Sequence, residues 1–300
     1  MKPIRDWLGR KSRARNKSRA QSKRPHQETA DPAVRCAVIG YGAIQATAEQ
    51  LPSLRQNPGP QPGPPLSPSF LKHADEQTVV AMAALFRAID QQGLAGICFT
   101  DWGVLAAPRY LGRITTVQAL QRFAAEGAWG ISPHLIPHRT LHAISGTISQ
   151  ALQIHGPNLG VGGGPNADVE VMRVAAAFLT NQDLPGVWVV MTGWNLEPIL
   201  QSHPVPDSQP SPSTNGYHPV SVCQAVALAL TSLSRTWDGL ELGFHLGALG
   251  SNGHPSPPLF SLESFQAALG GSSLSHQSWS LGNGGLVDLR FAQAGAEMKL

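Results

Sequence analysis

The sequence predicts an α/β fold, in which short buried strands alternate with amphipathic helices. Two observations carry this prediction. Apolar residues recur at helical spacing along 76–92, and a near-continuous apolar run of strand length follows at 186–193. In addition, an apolar content of 42% over 300 residues is enough for one large core. We therefore expect one α/β domain over residues 31–300.

The first 30 residues differ from the rest of the chain in charge. They hold ten Lys or Arg residues against Asp6 and Glu28, a net charge of +8, which leaves −5 for the remainder of a chain whose total is +3. We expect residues 1–30 to form a disordered basic arm. Alternatively, the arm contacts RNA, or an anionic membrane through Ile4, Trp7 and Leu8. The acidic remainder indicates no specific nucleic-acid partner.

Cysteine usage and hydropathy predict a cytoplasmic protein without a metal or cofactor. Cys36, Cys98 and Cys223 lie far apart, with neither the paired spacing of a zinc site nor an even-numbered disulfide framework. The sequence contains no run of 18 or more apolar residues, and its N-terminus lacks the apolar stretch of a secretory signal. These features favour a reducing compartment.

The N-terminal third of the domain contains four predicted segments. Residues 34–39 are β-rich and end at Gly40-Tyr41-Gly42, which predicts a strand followed by a tight turn. Residues 57–68 are proline-rich and predict an exposed connector. The apolar periodicity of 76–92 predicts a helix that ends at Gly93. A further strand is predicted over 96–100.

The middle of the chain continues the alternation. Val117, Leu120 and Phe123 share helical spacing, so we expect the helix that contains them to bury this side. Proline is tolerated at the start of a helix, so Gly164-Pro165 marks a strand-to-helix turn. The predicted elements of this region are helices over 116–125, 139–154 and 166–179 and strands over 158–163 and 186–193.

The last third is less uniform. Residues 201–217 form a second proline-rich linker or loop, and 220–233 suit a helix or a buried strand equally. A strand is predicted over 240–246, and a helix over 261–269. Residues 279–291 predict a closing hairpin around Asn283-Gly284-Gly285.

Two motifs suggest binding chemistry, but their context argues against it. Gly40-Tyr41-Gly42 after a strand is similar to the start of a dinucleotide-binding fingerprint, yet Gln45 occupies the place of the third glycine. Three histidines are spaced four apart, as zinc ligands on one helix would be, but prolines interrupt that helix. We expect no metal site at these histidines, which are His134, His138 and His142.

Residues 131–193 resemble the β-ketoacyl synthases of the thiolase-like superfamily. The spacing matches without gaps from Ser132 to Asp168, and a weaker likeness extends over 34–245. The resemblance implies a single thiolase-like half, a layered αβα arrangement with a mixed central sheet. The matching features, in order, are Ser132-Pro133, Pro137, Gly146, Gly156-Pro157, the strand 158–163, Gly164-Pro165 and Gly193.

Two departures from the family decide the expected function. Pro165 stands where the family has its nucleophilic cysteine, so the sequence offers no catalytic residue at this position. We also expect no counterpart of the family's paired histidines, which lie in a C-terminal repeat for which 300 residues leave no room. The resemblance therefore implies a pseudoenzyme, similar to the accessory proteins and chain-length factors that pair with active synthases.

The expected partners are an active β-ketoacyl synthase and an acyl carrier protein of fatty-acid or polyketide biosynthesis, in a hetero- or homodimer. Two alternatives remain. One is an acyltransferase or acyl-ligand-binding enzyme that uses a polar residue of the same cleft, and the other is a homodimeric scaffold. Carried over by position, the elbow and cleft comprise Gly163, Gly164, Pro165, Asn166, Asp168 and His142, with Ser145 as a further polar candidate. The interface or tunnel wall comprises Trp129, Ser132, His134, Ile136, His138, Asn158, Leu159 and Val161.

Overall fold

The structure is a computed structural model that describes most of the chain from residue 34 onward. The basic arm, the linker 201–217 and His134 lie outside the described residues, so the predictions for them remain predictions. The described ranges are 34–133, 135–181, 184–196, 221–233, 237–245, 256–271, 276–282 and 284–291.

The strands form one mixed eight-stranded sheet. They are Val34–Thr47 (β1), Gly103–Pro108 (β2), Asn158–Gly160 (β3), Val187–Trp194 (β4), Val222–Ser232 (β5), Leu240–His245 (β6), Gln277–Gly282 (β7) and Gly285–Phe291 (β8). Their order across the sheet is β3-β2-β4-β5-β1-β6-β8-β7. β2 runs parallel to β3 and β4, and the other neighbouring pairs are antiparallel.

Helices cover both faces of this sheet. They are Leu51–Gln56 (α1), Glu76–Gln91 (α2), Arg113–Glu126 (α3), Leu135–Arg139 (α4), Ala143–Leu152 (α5), Ala167–Asn181 (α6) and Leu262–Gly270 (α7). One core lies between the sheet and α2 and α5, and a second core lies between the sheet and α6 and α7. Side chains of a strand alternate between the two cores, as Trp188 and Val189 of β4 do. The predicted α/β class and layered αβα arrangement are confirmed.

The central strands β4 and β5 are buried on both faces. This burial explains why 220–233 suited helix and strand equally, because a strand buried on both sides has a continuous apolar sequence without the alternation that identifies a strand. The predicted strand over 186–193 is confirmed as β4. The predicted elements over 240–246, 261–269 and 279–291 are confirmed as β6, α7 and the β7–β8 hairpin.

α2 is the most deeply buried helix of the first core, and its predicted bounds are confirmed. Asp75 caps its start, since the carboxylate accepts a hydrogen bond of 2.9 Å from the backbone N–H of Gln77. Gly93 follows its end with φ +65°, the left-handed conformation that glycine favours. Burial also explains why the sequence contains so many apolar residues at helical spacing here, because the side chains from Val79 to Phe86 are all buried.

The predicted tight turn at Gly40-Tyr41-Gly42 is wrong. β1 continues through these residues to Thr47 and pairs with β5 across a register shift between Val38 and Gly40. Gly42 allows α2 to approach β1 closely and does not form a turn, because a Cβ at this position would overlap the backbone carbonyl oxygen of Ala84 in α2. Gly42 therefore lets α2 lie directly on β1.

Three further elements differ from their predicted bounds. The strand expected over 96–100 is wrong, because a 3₁₀ turn at Leu94–Gly96 leads into a loop and the strand follows at β2. The helix expected over 139–154 is shorter than predicted, because Arg139 ends the separate helix α4 and α5 begins only at Ala143. The strand expected over 158–163 ends at Gly160, because the next residues turn toward α6.

α3 confirms the helix predicted over 116–125 but not its orientation. No residue of this helix is buried, and Val117, Leu120 and Phe123 are 37%, 63% and 52% exposed. The apolar side that we expected to face the core faces away from it. Within the part of the chain that the structure describes, no helix is long and apolar enough to cross a membrane.

Candidate functional site: the elbow loop and its cleft

The candidate site lies at one edge of the sheet. The carboxyl ends of the parallel strands β2, β3 and β4 meet there, together with the end of β1 and the start of β5. In α/β sheets, loops at the carboxyl ends of parallel strands commonly form the ligand site. Residues 161–166, which connect β3 to α6, form the elbow loop of this edge.

The elbow loop turns sharply on two glycines. Gly162 and Gly163 have φ values of +76° and +101°, which glycine adopts at little cost. The carbonyl oxygen of Gly163 accepts a hydrogen bond of 3.0 Å from the backbone N–H of Tyr110, and the N–H of Val161 donates to the carbonyl of Ala106 at 2.8 Å. The predicted strand-to-helix turn is confirmed, and it is fixed to the end of β2.

Pro165 is exposed in this loop, two residues before α6 begins at Ala167. A proline has no nucleophilic atom, and its nitrogen carries no hydrogen. The residue therefore offers neither a group to be acylated nor a backbone donor for an oxyanion. Its neighbour Asn166 is exposed, and its carbonyl accepts the N–H of Glu170 in the first turn of the helix.

Asp168 is buried beneath the elbow loop, and its carboxylate is already engaged. One oxygen accepts a hydrogen bond of 2.9 Å from the backbone N–H of Leu262, at the start of α7, and the other accepts one of 3.0 Å from Val169. Burial raises the pKa of Asp168, and these hydrogen bonds together with Arg109 act in the opposite direction. The side chain joins α6 to α7, which is a structural role.

A polar cluster that the sequence analysis did not identify lies at the same edge, with Gln77, Thr192 and Gln224 buried and Glu263 exposed. The Gln77 amide donates to the carbonyl of Arg109 at 2.8 Å and accepts from the Thr192 hydroxyl at 2.8 Å. Arg109 also forms an ion pair with Glu263, to which Gln224 donates at 2.6 Å. Burial opposes ionisation of Glu263, but the hydrogen bonds from Arg109, the backbone and Ser261, together with the charge of Arg109, outweigh it and lower the pKa of Glu263. The cluster links α2, the sheet and α7.

A cleft of about 470 Å³ opens beside the elbow loop. Gly162, Gly163 and Leu141 form one wall, and α3 forms the other through residues such as Val117. Arg113 and Arg139 also line it. The described residues that line this cleft include no carboxylate. The cleft is therefore partly apolar and basic.

His142 and Ser145, two of the polar candidates, contact each other. The Nδ1 atom of His142 lies 3.2 Å from the Ser145 hydroxyl oxygen, but Ser145 is fully buried. His142 itself is exposed at the start of α5, next to Leu141 of the cleft. The hydroxyl is therefore inaccessible to a substrate in this conformation.

The predicted interface and tunnel-wall residues differ in exposure. Trp129 is 99% exposed, Ser132 and Leu159 are also exposed, and His138, Asn158 and Val161 are half-buried. Asn158 donates to the Ser149 hydroxyl at 2.6 Å. Ile136 lies in α4, but its side chain is not among the described parts of the structure, and His134 lies outside the described residues. β3, which carries Asn158 and Leu159, is an edge strand of the sheet.

Metal-binding groups of three or more His, Cys, Asp or Glu side chains do not occur among the residues that the structure describes. His138 lies instead beside His73, with ring centroids 6.0 Å apart.

Comparison with known proteins gives matches in structure only. No protein-family model matches the sequence, and no curated protein matches it. Among solved structures, the chain is similar to a chain in the structure of a type II polyketide synthase acyl-carrier protein in complex with its ketosynthase. The identity is 15% and the TM-score is 0.45. That match covers 66% of this chain and 62% of the other.

Two further structures give similar values. A β-ketoacyl synthase from Burkholderia phymatum matches at 13% identity and a TM-score of 0.47, over 75% of this chain and 66% of that one. A ketosynthase in complex with its chain length factor from Xenorhabdus doucetiae matches at 16% identity and a TM-score of 0.42, over 74% and 63%.

These matches describe a likeness to ketosynthase structures, and the chain spans about 62% of the length of the first chains that it matches.

Proposed function

We propose that this chain is a non-catalytic partner subunit that pairs with an active β-ketoacyl synthase and shapes the tunnel for its acyl chain. The observation that carries the proposal is the elbow at Pro165. The loop turns on Gly162 and Gly163 into α6 as a nucleophile elbow would, but the turn carries no nucleophile and no N–H at residue 165. An elbow loop that keeps the sharp turn but lacks the nucleophile suits a partner subunit that does not catalyse the reaction.

The partner class comes from the resemblance of residues 131–193, which implies an intact ketosynthase and an acyl carrier protein. Some of the similar solved proteins are complexes of these kinds. We assign the pairing region to β3 and the segment from Trp129 to His138, where Leu159 and Trp129 are exposed. The domain is taken as residues 31–300, in a cytoplasmic setting where the cysteines remain reduced.

Co-expression with each intact β-ketoacyl synthase of the source organism tests the pairing. We expect one synthase to co-purify with this chain at a fixed ratio. If none does, the proposed function is wrong.

A second candidate, an acyltransferase of the same fold, is favoured by one observation, the 3.2 Å contact between His142 and Ser145. Full burial of Ser145 argues against it. Incubation of the isolated protein with acyl-coenzyme A and acyl-carrier thioesters separates the candidates. Neither turnover nor a gain in mass is expected, and covalent acylation would support the enzyme. A homodimer that binds no synthase would support the scaffold.

A further inference from the structure

Tyr110 has an unusual backbone conformation beside the elbow cleft. Its φ is +55°, in the left-handed region that a bulky side chain rarely adopts. Among the described residues other than glycine, only Gln153 shares a positive φ. Gln153 ends α5, an ordinary place for this conformation, whereas Tyr110 lies just beyond the end of β2. The conformation costs free energy, so the contacts around Tyr110 have to maintain it.

Hydrogen bonds fix the backbone at Tyr110 and at the residue before it. The N–H of Arg109 donates to the carbonyl of Thr192 in β4 at 2.8 Å. The carbonyl of Arg109 accepts from the Gln77 amide in α2, also at 2.8 Å. The N–H of Tyr110 then donates to the carbonyl of Gly163 in the elbow loop at 3.0 Å. The strained residue is thereby joined to the sheet, to α2 and to the elbow loop.

The side chain of Arg109 adds a connection to α7. Its guanidinium forms an ion pair with Glu263 in the first turn of that helix, and Gln224 donates to the same carboxylate at 2.6 Å. Gly193 leaves room for the guanidinium, since a Cβ at that position would lie 2.6 Å from the Nε atom of Arg109. The side chain of Arg109 therefore cannot turn away without breaking the ion pair.

This ion pair is the contact most open to change. The side chains of Arg109 and Glu263 are 18% and 42% exposed, whereas Gln77 and Thr192 are buried. Solvent, salt and competing charges weaken a partly exposed ion pair more than a buried hydrogen bond. The conformation of Tyr110 can therefore be altered from the surface through Glu263.

The ring of Tyr110 is part of the wall of the elbow cleft. It is 37% exposed, and the guanidinium carbon of Arg113 lies 5.0 Å from its centroid. Because φ is the rotation about the N–Cα bond, a change to a negative value turns the ring relative to the N–H that bonds Gly163. The ring and the N–H cannot both keep their present contacts after such a change. The shape of the cleft therefore depends on the conformation of Tyr110.

We propose that the ion pair between Arg109 and Glu263 holds Tyr110 in its strained conformation, and that breaking this ion pair releases Tyr110 and reshapes the elbow cleft. Tyr110 is then the movable part of the cleft wall. A basic group that competes for the Glu263 carboxylate would control its position. The inference goes beyond the proposed function and does not depend on it.

Amide hydrogen exchange of the full chain tests the role of the ion pair. Glu263→Gln removes the charge and keeps the shape, so it should speed exchange of the Tyr110 amide by at least about tenfold. Arg290→Met is the matched control, since Arg290 pairs with Glu241 at the far end of the sheet, and it should change this rate less than about twofold. Amides of β1 should keep their rates, and their acceleration would show general destabilisation and contradict the proposal.

Tyr110→Gly tests whether strain drives the release. Glycine adopts a positive φ at little cost, so with Gly at position 110 the Glu263→Gln substitution should speed exchange of the residue-110 amide by less than about twofold. An equal acceleration with tyrosine and with glycine would overturn the proposal. So would the absence of any acceleration in Glu263→Gln.

Fluorine NMR follows the ring itself. The chain has three tyrosines, so the 3-fluorotyrosine signal of Tyr110 can be assigned by its loss in Tyr110→Phe. Glu263→Gln should shift this signal or split it, with a second signal of at least about 10% of the intensity, and should leave that of Tyr41 in place. An unchanged Tyr110 signal would show that the ring does not move and that the proposal is wrong.

Discussion

At the scale of single residues, Pro165 determines what the elbow can do. A thiol placed there would lie at the N-terminus of α6, where the helix dipole favours the thiolate. We expect Pro165→Cys, made together with Cys98→Ser, to react with iodoacetamide at pH 7 at least about tenfold faster than Cys98→Ser alone. The two remaining cysteines are buried, which raises the pKa of Cys36 to about 12 and raises that of Cys223. Mass spectrometry would measure the rates, and equal rates would contradict the elbow geometry.

Asp75 predicts a pH dependence of stability. Burial and the neighbouring Glu76 raise its pKa to about 7, against the opposing effect of Arg139. The folded protein therefore binds a proton that the unfolded chain releases near pH 4, so this contribution is full below pH 4 and is lost as the pH rises through 7. We expect Asp75→Asn to remove a fall of about 3 kcal/mol in the free energy of unfolding between pH 4 and 7.

Urea unfolding at several pH values measures this change. Asp90→Asn, at an exposed carboxylate of the same helix, is the control and should leave the pH profile unchanged. A profile for Asp75→Asn that matches the unsubstituted protein would show that Asp75 does not hold the proton.

The candidate site was predictable only in part at this scale. Local spacing identified Pro165 and its glycines, because the turn is made by consecutive residues. Gln77, Thr192 and Gln224 were missed, because their partners come from distant parts of the chain. Each of these residues is a polar residue within an apolar segment. Such a residue indicates a buried hydrogen bond, but the sequence does not identify the partner.

At the scale of elements, the contact between β1 and α2 depends on Gly42. Adding a methyl group forces the Cβ into the backbone of Ala84, and a helix backbone cannot shift as a flexible side chain can. We expect Gly42→Ala to lower the free energy of unfolding by about 3 kcal/mol. Gly63→Ala, in the exposed connector with open space around its Cβ, should change it by less than about 0.5 kcal/mol. Equal urea midpoints for the two variants would contradict this contact.

Helices were predicted well where they pack against the sheet and less well elsewhere. α2 and α6 follow their apolar periodicity, since each packs against the sheet. For α3 the apolar periodicity correctly predicted a helix but wrongly predicted that its apolar side packs in the core. An apolar side does not by itself show that a surface of the same chain covers it. The turn at Gly40-Tyr41-Gly42 failed for a different reason, as glycine permits close approach as well as turning.

At the scale of the whole molecule, the last third of the chain completes the layered arrangement. α7 packs on the second face of the sheet, and the β7–β8 hairpin extends the sheet beyond β6. The β3 edge and the outer side of α3 lie at the other end, beside the elbow loop. A partner bound there would reach the elbow cleft directly.

The length of the product is the most direct measure of this role. The purified synthase would be supplied with acyl-carrier thioesters, with and without this chain, and the products would be compared by mass spectrometry. We predict that this chain shifts the main product to a different, narrower range of lengths while forming no product by itself. An identical product distribution with and without it would contradict the proposed function.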